Sequence, residues 1–313
     1  MELVFETIYL ADENGSCFDI QDIEDEDGNE SIKTLLKVFV SEVILCLVRR
    51  NEIETSEMPE NEVAKKIINI INTARLKKAL IESVYPPRCP VCHEIVDEKG
   101  YSICKKCLPL MSFVKEPVCL KCGKQLYDES IDLCTDCKTY PKSFEYGMAL
   151  LNYDDISAES MIKIKYKNKR EYIKTYARLI ALRYGDKIKN TGADALIPVP
   201  VHKNRLAARG YNQSAILAEF ISSETGIKMA DNILFRIKDT KAQKELDPAS
   251  RLKNLSEAFV CGDIPGNLHN FIIVDDIYTT GSTAEACTRI LKSAGADNVY
   301  CISICIGGTD FQL

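Results

Sequence analysis

The sequence lacks a secretory signal, an uninterrupted apolar segment and a Walker A loop. The first ten residues, MELVFETIYL, carry two glutamates and no basic stretch, so nothing in them predicts export. The most apolar stretch, residues 32–48, is interrupted by Lys33, Lys37 and Glu42, which indicates a buried helix rather than a membrane span. No Gly-Lys-Ser or Gly-Lys-Thr tripeptide occurs, which excludes a Walker A site. We therefore expect a cytoplasmic protein that does not insert into membranes.

Acidic and basic residues are distributed unevenly along the 313 residues. The first 60 residues contain 16 Asp and Glu against 4 Lys and Arg, whereas the other 253 carry 36 basic and 30 acidic groups. A mildly basic chain that follows an acidic N-terminal segment is compatible with binding phosphate or nucleic acid. The counts fit solvated surface charge equally well. The 46% hydrophobic and 27% charged content is that of a soluble globular protein. The length predicts two or three domains.

Eight of the fourteen cysteines form four C-x-x-C pairs, with eleven residues between each pair and the next. In a chain without an export signal, this pattern indicates metal binding rather than disulfides. Two C-x-x-C turns complete a tetrahedral site of four thiolates, which suits Zn²⁺ and leaves no open coordination position. We therefore predict one or two structural zinc ions, held by Cys89, Cys92, Cys104, Cys107, Cys119, Cys122, Cys134 and Cys137.

The spacing leaves the combination of the four pairs open. Sequential pairing gives a double zinc ribbon, and interleaved pairing or a single occupied site fits the same spacing. Gly123, directly after Cys122, suits a sharply turning knuckle. His93 is predicted to be a bystander, because sulfur already fills every site. The remaining cysteines are predicted to act as small apolar residues: Cys17, Cys46, Cys261, Cys287, Cys301 and Cys305.

Residues 1–84 form an extension to which we assign no chemistry. One or two short strands are predicted at 3–10. The acidic segment 19–30 is predicted to be a mobile or regulatory surface, because it has low hydrophobicity and like charge. Helices are predicted over 31–50 and 60–84.

Strands and helices alternate in the C-terminal half of the chain. Apolar runs at 195–201 and 271–274 predict buried parallel strands, each followed by polar residues and a helix. A last strand is predicted at 299–306. This alternation indicates an open parallel α/β sheet. We divide the chain into an N-terminal extension, a zinc module and an α/β domain, at 1–84, 85–142 and 143–313.

The segment FIIVDDIYTTGST at 271–283 carries the clearest functional signal. A buried strand ends in Asp275 and Asp276, and a loop rich in hydroxyl groups then opens a helix. The free N–H groups of a helix N-terminus bind phosphate, while paired carboxylates accept hydrogen bonds from vicinal sugar hydroxyls or help to hold Mg²⁺. A sugar with a 5-phosphate would use both halves. The loop residues of this predicted site are Thr279, Thr280, Gly281, Ser282 and Thr283.

This segment closely resembles the phosphoribosyl-pyrophosphate (PRPP) motif of type I phosphoribosyltransferases. The segment IPVPVHKNRLAARGYNQS at 197–214 resembles the Pro-Val-Pro and Arg-Gly-Phe/Tyr-Asn-Gln signature of the ComF family. The central stretch of that family is similar at Thr240, Gln243, Leu246, Arg251, Asn254 and Phe259. The resemblance, which includes the cysteine pairs, implies the type I phosphoribosyltransferase fold and PRPP bound with Mg²⁺. It also implies a role in natural competence, through the handling of single-stranded DNA.

Two basic segments fit contacts with phosphate. Lys203, Arg205 and Arg209 follow a strand end and can meet a pyrophosphate or a DNA phosphate. The run MIKIKYKNKR at 161–170 places an aromatic residue among lysines, which suits a single-stranded nucleic-acid surface and equally a solvated helix face. His202 is predicted to cap the strand end.

Two functions fit these motifs. In the first, the chain is a phosphoribosyltransferase of nucleotide or nucleobase salvage, in which a nucleophile displaces pyrophosphate from PRPP and Asp276 is the best catalytic candidate. In the second, the pocket binds PRPP without turnover, and the zinc ribbons and basic segments hold single-stranded DNA or a competence helicase. We identify no base-recognising insert, and we favour a role in DNA uptake.

Overall fold

The computed structural model describes residues 86–96, 103–238 and 254–307, together with two short strands near the N-terminus. These strands, β1 (Tyr9–Ala11) and β2 (Cys17–Asp19), pair antiparallel. The chain divides into two compact units, Met1–Tyr85 and Pro86–Leu313. The predicted helices at 31–50 and 60–84, most of the acidic segment 19–30, Cys46 and the motif residues Thr240, Gln243, Leu246 and Arg251 lie outside the described residues.

A five-stranded sheet forms the centre of the second unit. Its strands are β3 (Gly147–Asn152), β4 (Ala195–Pro198), β5 (Lys228–Met229), β8 (Asn270–Tyr278) and β9 (Asn298–Ile306). They are parallel throughout and run in the order β3-β9-β8-β4-β5. Between β5 and β8 in the chain, β6 (Leu234–Arg236) and β7 (Phe259–Cys261) pair antiparallel. The predicted open parallel sheet is confirmed, as are the predicted strands at 271–274 and 299–306.

Helices cover both faces of the sheet. Among the residues that the structure describes, the second unit contains the α-helices α1 (Thr135–Thr139), α2 (Asp155–Tyr166), α3 (Glu171–Asn190), α4 (Lys203–Arg209), α5 (Gln213–Thr225) and α6 (Ser282–Ser293). Along β8, Ile272 and Val274 belong to the same buried cluster as α2, α3 and α5. The alternate residues Phe271 and Ile273 belong to the cluster of α6. This period of two is that of a strand buried on both faces.

The strand order places a reversal of chain direction between β4 and β8, and we call the region outside the carboxyl ends of these two strands the crevice. From β4 the chain continues to the edge strand β5, whereas from β8 it continues in the opposite direction to β9. In open parallel sheets, ligands bind at such a reversal, outside the carboxyl ends of the strands. Asp275 and Asp276 lie near the carboxyl end of β8, and the segment of Lys203 and Arg209 follows the carboxyl end of β4. Topology therefore brings two of the predicted motifs to one place.

The cysteine module consists of two similar ribbons in the same compact unit as the sheet. The first ribbon, residues 86–96 and 103–110, contains an antiparallel bridge between Arg88 and Ile95, and the second, residues 117–137, contains the corresponding bridge between Val118 and Gln125. Cys89 and Cys107 belong to the buried cluster of α3, and all four cysteines of the second ribbon belong to that of α6. Core packing as well as metal therefore supports both ribbons.

Cysteines outside the ribbons behave as the sequence predicts where the structure describes their side chains. Cys287, Cys301 and Cys305 are buried within the core, and Cys261 is half-buried against it. Among the described residues, no helix has the length and apolar character needed to cross a membrane.

Candidate metal centres and phosphate site

The eight predicted ligands form two separate clusters. Within each cluster, the four sulfur atoms all lie within 4.8 Å of one another. The first consists of Cys89, Cys92, Cys104 and Cys107, and the second of Cys119, Cys122, Cys134 and Cys137. The sequential pairing of a double zinc ribbon is therefore confirmed, and interleaved pairing is excluded.

The sulfur spacing fits zinc. A tetrahedron with Zn–S bonds of about 2.3 Å has edges of about 3.8 Å. The Sγ atoms of Cys92 and Cys104 are 3.7 Å apart in the first site, and those of Cys122 and Cys134 are 3.7 Å apart in the second. Since four thiolates complete the coordination shell, the zinc ions are structural.

The two sites differ in their exposure to solvent. In the first, Cys92 is exposed and Cys104 is half-buried, whereas all four sulfur ligands of the second are buried. The residue after the second cysteine of each leading C-x-x-C pair has a left-handed backbone: His93 at φ 67° and Gly123 at φ 78°. His93 belongs to neither cluster. Its Nδ1 lies 3.0 Å from the hydroxyl of Tyr172, which connects the first ribbon to α3.

The phosphate loop, residues 279–283, leads from β8 into α6. Gly281 has φ 73° and caps the helix without a side-chain hydrogen bond to its first turn. The helix is twelve residues long, and its first N–H groups have no partner within the helix. The hydroxyls of Thr280 and Ser282 are 2.9 Å apart, while Thr279 is exposed and Thr283 is half-buried. The predicted loop residues therefore surround one helix N-terminus that can accept an anion.

Tyr278 explains the glycine in this loop. A Cβ atom on Gly281 would lie 2.0 Å from the hydroxyl of Tyr278, so a side chain would collide with the ring. The hydroxyl is buried and has no hydrogen-bond partner among the described residues. The structure therefore gives a packing reason for glycine at this position of the predicted site.

The two aspartates are held differently. The Asp276 carboxylate is buried and forms an ion pair with Lys165, whose Nζ is 2.9 Å from Oδ2. Asp275 accepts a hydrogen bond from the Ser214 hydroxyl at 3.2 Å. Burial, and then the neighbouring charge of Asp276, raise the pKa of Asp275 to about 7. Burial also acts to raise the pKa of Asp276, but the ammonium of Lys165 outweighs it and the pKa is lowered.

Lys165 lies at the candidate site, although the sequence predicted it to be part of an exposed basic surface. The run 161–170 was predicted as one basic surface, but Met161 and Ile164 are buried and Lys165 turns to Asp276. Burial acts to lower the pKa of Lys165, and the Asp276 charge raises it overall, so the pair is ionised. Ile162 is exposed as well, but most exposed residues of the run lie at its end, beginning with Tyr166, which is 73% exposed.

The basic residues after β4 lie at different depths. Lys203 is exposed, and Arg205 is half-buried. Arg209 donates a hydrogen bond to Gln213, and its guanidinium lies 5.8 Å from the ring centroid of Tyr166. Its charge also contributes to lowering the pKa of Asp276, after burial and Lys165. His202 accepts a hydrogen bond from Asn204 N as the N-cap of α4, so it caps a helix rather than the strand predicted.

Comparisons with known proteins agree with this geometry. The family model of the double zinc ribbon domain matches residues 80–138. Competence protein F of Haemophilus influenzae is 28% identical over 219 residues, which are 68% of this chain and 93% of that protein. DNA utilization protein YhgH of Escherichia coli is 25% identical, covering 69% of this chain and 96% of that protein. Competence protein ComFC of Bacillus subtilis is 26% identical over 64% and 80% of the two chains. The resemblance to the ComF family is thus confirmed.

A solved structure also aligns with the chain. The purine phosphoribosyltransferase from Pyrococcus horikoshii matches 44% of this chain and 90% of its own, with 17% sequence identity and a TM-score of 0.26.

Proposed function

We propose that the chain binds PRPP with Mg²⁺ in the crevice between β4 and β8, and that it handles single-stranded DNA in DNA uptake. The observation that carries the first part is the position of two adjacent carboxylates, Asp276 buried and Asp275 half-buried, near the end of the strand that leads into α6. Two adjacent carboxylates at a buried strand end are costly without partners. A ligand with hydroxyls or Mg²⁺ at one end and a phosphate at the other satisfies both features.

The chemistry of the pocket divides between its two sides. The N–H groups and hydroxyls of residues 279–283 are suited to the 5-phosphate, because they donate hydrogen bonds at the positive end of a helix dipole. Asp275 and Asp276 are suited to the ribose hydroxyls or to Mg²⁺, which prefers carboxylate oxygens. Lys165 balances the charge of Asp276 when no ligand is bound.

Titration calorimetry with Mg²⁺ and PRPP tests this site. Thr280→Ala removes one hydroxyl donor to the phosphate and should weaken binding by roughly 1.5–3 kcal/mol, the value of a hydrogen bond to a charged group. Thr225→Ala, at the C-terminal end of α5, is a control that should leave the affinity unchanged. Unchanged affinity in Thr280→Ala, Asp275→Asn and Asp276→Asn would show that the site is wrongly assigned.

An exposed basic and aromatic surface supports the proposed binding of single-stranded DNA. We call Tyr166, Lys167, Arg170 and Arg209 the basic face. Arg209 lies over the ring of Tyr166, and the guanidinium of Arg170 lies 5.0 Å from the ring centroid of Tyr211. Tyr211 is buried, so Tyr166 is the exposed ring of this face. An exposed aromatic ring among cations can stack on a base of a single strand without sequence preference. The names of the relatives, competence and DNA utilization, agree with this role.

Tyr166→Ala separates a DNA surface from a solvated helix face. Loss of one stacking partner should weaken single-stranded DNA binding by about 1–3 kcal/mol. Leu182→Ala is the control, because Leu182 is 75% exposed but lies on α3, outside the ribbons and the basic face. Equal affinities of the two variants would remove the basic face from the proposal.

An exchange assay on the same protein distinguishes binding of PRPP from its turnover. Exchange of labelled pyrophosphate into PRPP, measured with a panel of nucleobases, would assign a salvage activity and make Asp276 the first residue to test as catalytic. We propose a cytoplasmic location, since eight cysteine ligands keep their thiolates in a reducing compartment.

A further inference from the structure

We propose that the second zinc ribbon positions the phosphate loop through a strap, residues 142–144, that joins the ribbon to β3. This inference rests on the proposed function and adds to it a positioning role for Lys142, Ser143 and Phe144. Lys142 contacts the loop, Ser143 contacts the helix that the loop opens, and Phe144 contacts Tyr278, the last residue of β8 before the loop. The second ribbon thereby becomes part of the support of the ligand site.

Lys142 holds the backbone of the loop. Its Nζ donates a hydrogen bond of 2.9 Å to the carbonyl oxygen of Thr280. That carbonyl belongs to the peptide unit that leads into Gly281, whose φ of 73° sets the turn before α6. Fixing this peptide unit fixes the direction of the neighbouring N–H groups, which are the proposed phosphate donors.

Ser143 holds the first turn of α6. Its backbone N–H and its hydroxyl donate to the two carboxylate oxygens of Glu285, at 2.7 and 2.8 Å. Glu285 is only 1% exposed, and Arg289 pairs with one of the same oxygens at 2.5 Å. A carboxylate with several charge-assisted hydrogen bonds in a buried setting is a rigid connection. The start of α6 is therefore tied to the strap.

Phe144 supports the loop indirectly, through the ring of Tyr278. It is fully buried, and its ring meets Tyr278 edge to face, with centroids 6.4 Å apart. Tyr278 in turn lies directly against Gly281. The three consecutive strap residues therefore hold three different groups. Lys142 holds the carbonyl of Thr280, Ser143 holds the first turn of α6, and Phe144 holds the ring of Tyr278 that packs against Gly281.

The zinc knuckle of the second ribbon holds the strap at its other end. Lys121, between the ligands Cys119 and Cys122, donates through Nζ to the Glu145 carbonyl at 3.1 Å, and its own carbonyl accepts from Gly147 N at 2.8 Å. A Cβ on Gly123 would lie 2.6 Å from the Gly147 carbonyl oxygen, so knuckle and strand are in direct backbone contact. Metal coordination, knuckle, strap and phosphate loop form one continuous set of contacts.

Lys142→Met tests the strap with the full chain. We expect about a tenfold weaker affinity for Mg²⁺ and PRPP, comparable to the loss of one charged hydrogen bond. Zinc content and melting temperature should stay near those of the wild type. Lys142→Arg, which keeps a donor, should restore the affinity to within about threefold. Lys138→Met is the matched control, because Lys138 is an exposed lysine of α1 on the same ribbon.

Phosphorus NMR of bound PRPP separates positioning from a general structural effect. In Lys142→Met, the resonance of the 5-phosphate should shift while the pyrophosphate resonances stay in place. Wild-type affinity in Lys142→Met with an unshifted 5-phosphate would overturn the strap and leave the proposed function intact. Failure of the wild type itself to bind PRPP would overturn both.

Discussion

The two zinc ribbons share a local structure but support different parts of the molecule. The first ribbon contacts α3 through His93 and Tyr172, and the Nε2 of His93 lies 3.5 Å from Glu159 of α2, the helix that carries Lys165. The second ribbon contacts β3 and, through the strap, the phosphate loop. One ribbon therefore supports the side of the pocket with Lys165, and the other supports the phosphate side.

The residue after the leading C-x-x-C pair shows how this difference arises. His93 and Gly123 have the same left-handed backbone, which the knuckle demands in both ribbons. A side chain fits in the first ribbon, where it reaches Tyr172. In the second, the backbone of Gly147 occupies that space. Similar knuckles thus dock in two ways, by a side chain and by direct backbone contact.

Gly123→Ala should have the largest effect on stability. The new Cβ would lie 2.6 Å from the Gly147 carbonyl oxygen at a backbone φ of 78°. We expect a loss of roughly 2–4 kcal/mol in the free energy of unfolding, from left-handed strain and overpacking together. Gly226→Ala is the control, since Gly226 has φ 81° but open space around it. Equal losses in chemical denaturation would mean that the second ribbon does not dock through this contact.

The two metal sites should respond unequally to loss of one ligand. Cys134→Ser affects the buried site and Cys92→Ser the exposed cysteine of the other. We expect Cys134→Ser to lower the free energy of unfolding by roughly 2 kcal/mol more, because polar groups left without metal are buried there. Elemental analysis and thermal unfolding of both variants measure this difference. A larger loss of unfolding free energy in Cys92→Ser would contradict the greater cost expected at the buried site.

Asp275 and Asp276 lie between the two sides of the pocket that the ribbons support. Replacing each with Asn should change the free energy of unfolding in opposite directions. Asp275 has a raised pKa of about 7, so its contribution to stability falls as the pH rises from about 4 to 7. Asp276 has a lowered pKa, so its contribution is present above the ordinary carboxyl pKa and is lost on acidification below it.

At pH 8, Asp275→Asn should therefore stabilise the ligand-free protein and Asp276→Asn should destabilise it, each by an amount on the order of 1 kcal/mol. Near pH 4 the gain from Asp275→Asn should vanish, because Asp275 is then protonated in the folded wild type. Denaturant unfolding at the two pH values is the measurement. Shifts of the same sign in both variants at pH 8 would contradict the unequal environments of the two carboxylates.

Local patterns in the sequence were sufficient for the zinc ligands and for the strand that leads to the phosphate loop. Even cysteine spacing identified all eight cysteines of the two clusters, because each C-x-x-C knuckle is a local structure. The run at 271–274 identified β8, because a strand buried on both faces is apolar at every position. The tertiary structure was needed to show which C-x-x-C pairs combine to form each metal site.

Local sequence patterns did not predict the contacts between segments that are far apart in the chain. Lys165 lies in a run of lysines that reads as a solvated helix surface, and only the strand order of the sheet brings α2 to Asp276. The strap was missed for the same reason: Lys142 and Thr280 are far apart in the chain, and neither has a pattern that indicates the other. Gly123 was interpreted as a turn residue, whereas its environment also includes the backbone of Gly147.

A crystal structure of the full chain with Mg²⁺ and PRPP at saturating concentration tests the central claim most directly. We expect the 5-phosphate at the N-terminus of α6, within hydrogen-bond distance of the backbone of residues 280–283. We also expect the ribose hydroxyls or Mg²⁺ at Asp275 and Asp276. A phosphate bound elsewhere, or a crevice between β4 and β8 without PRPP under these conditions, would contradict the account.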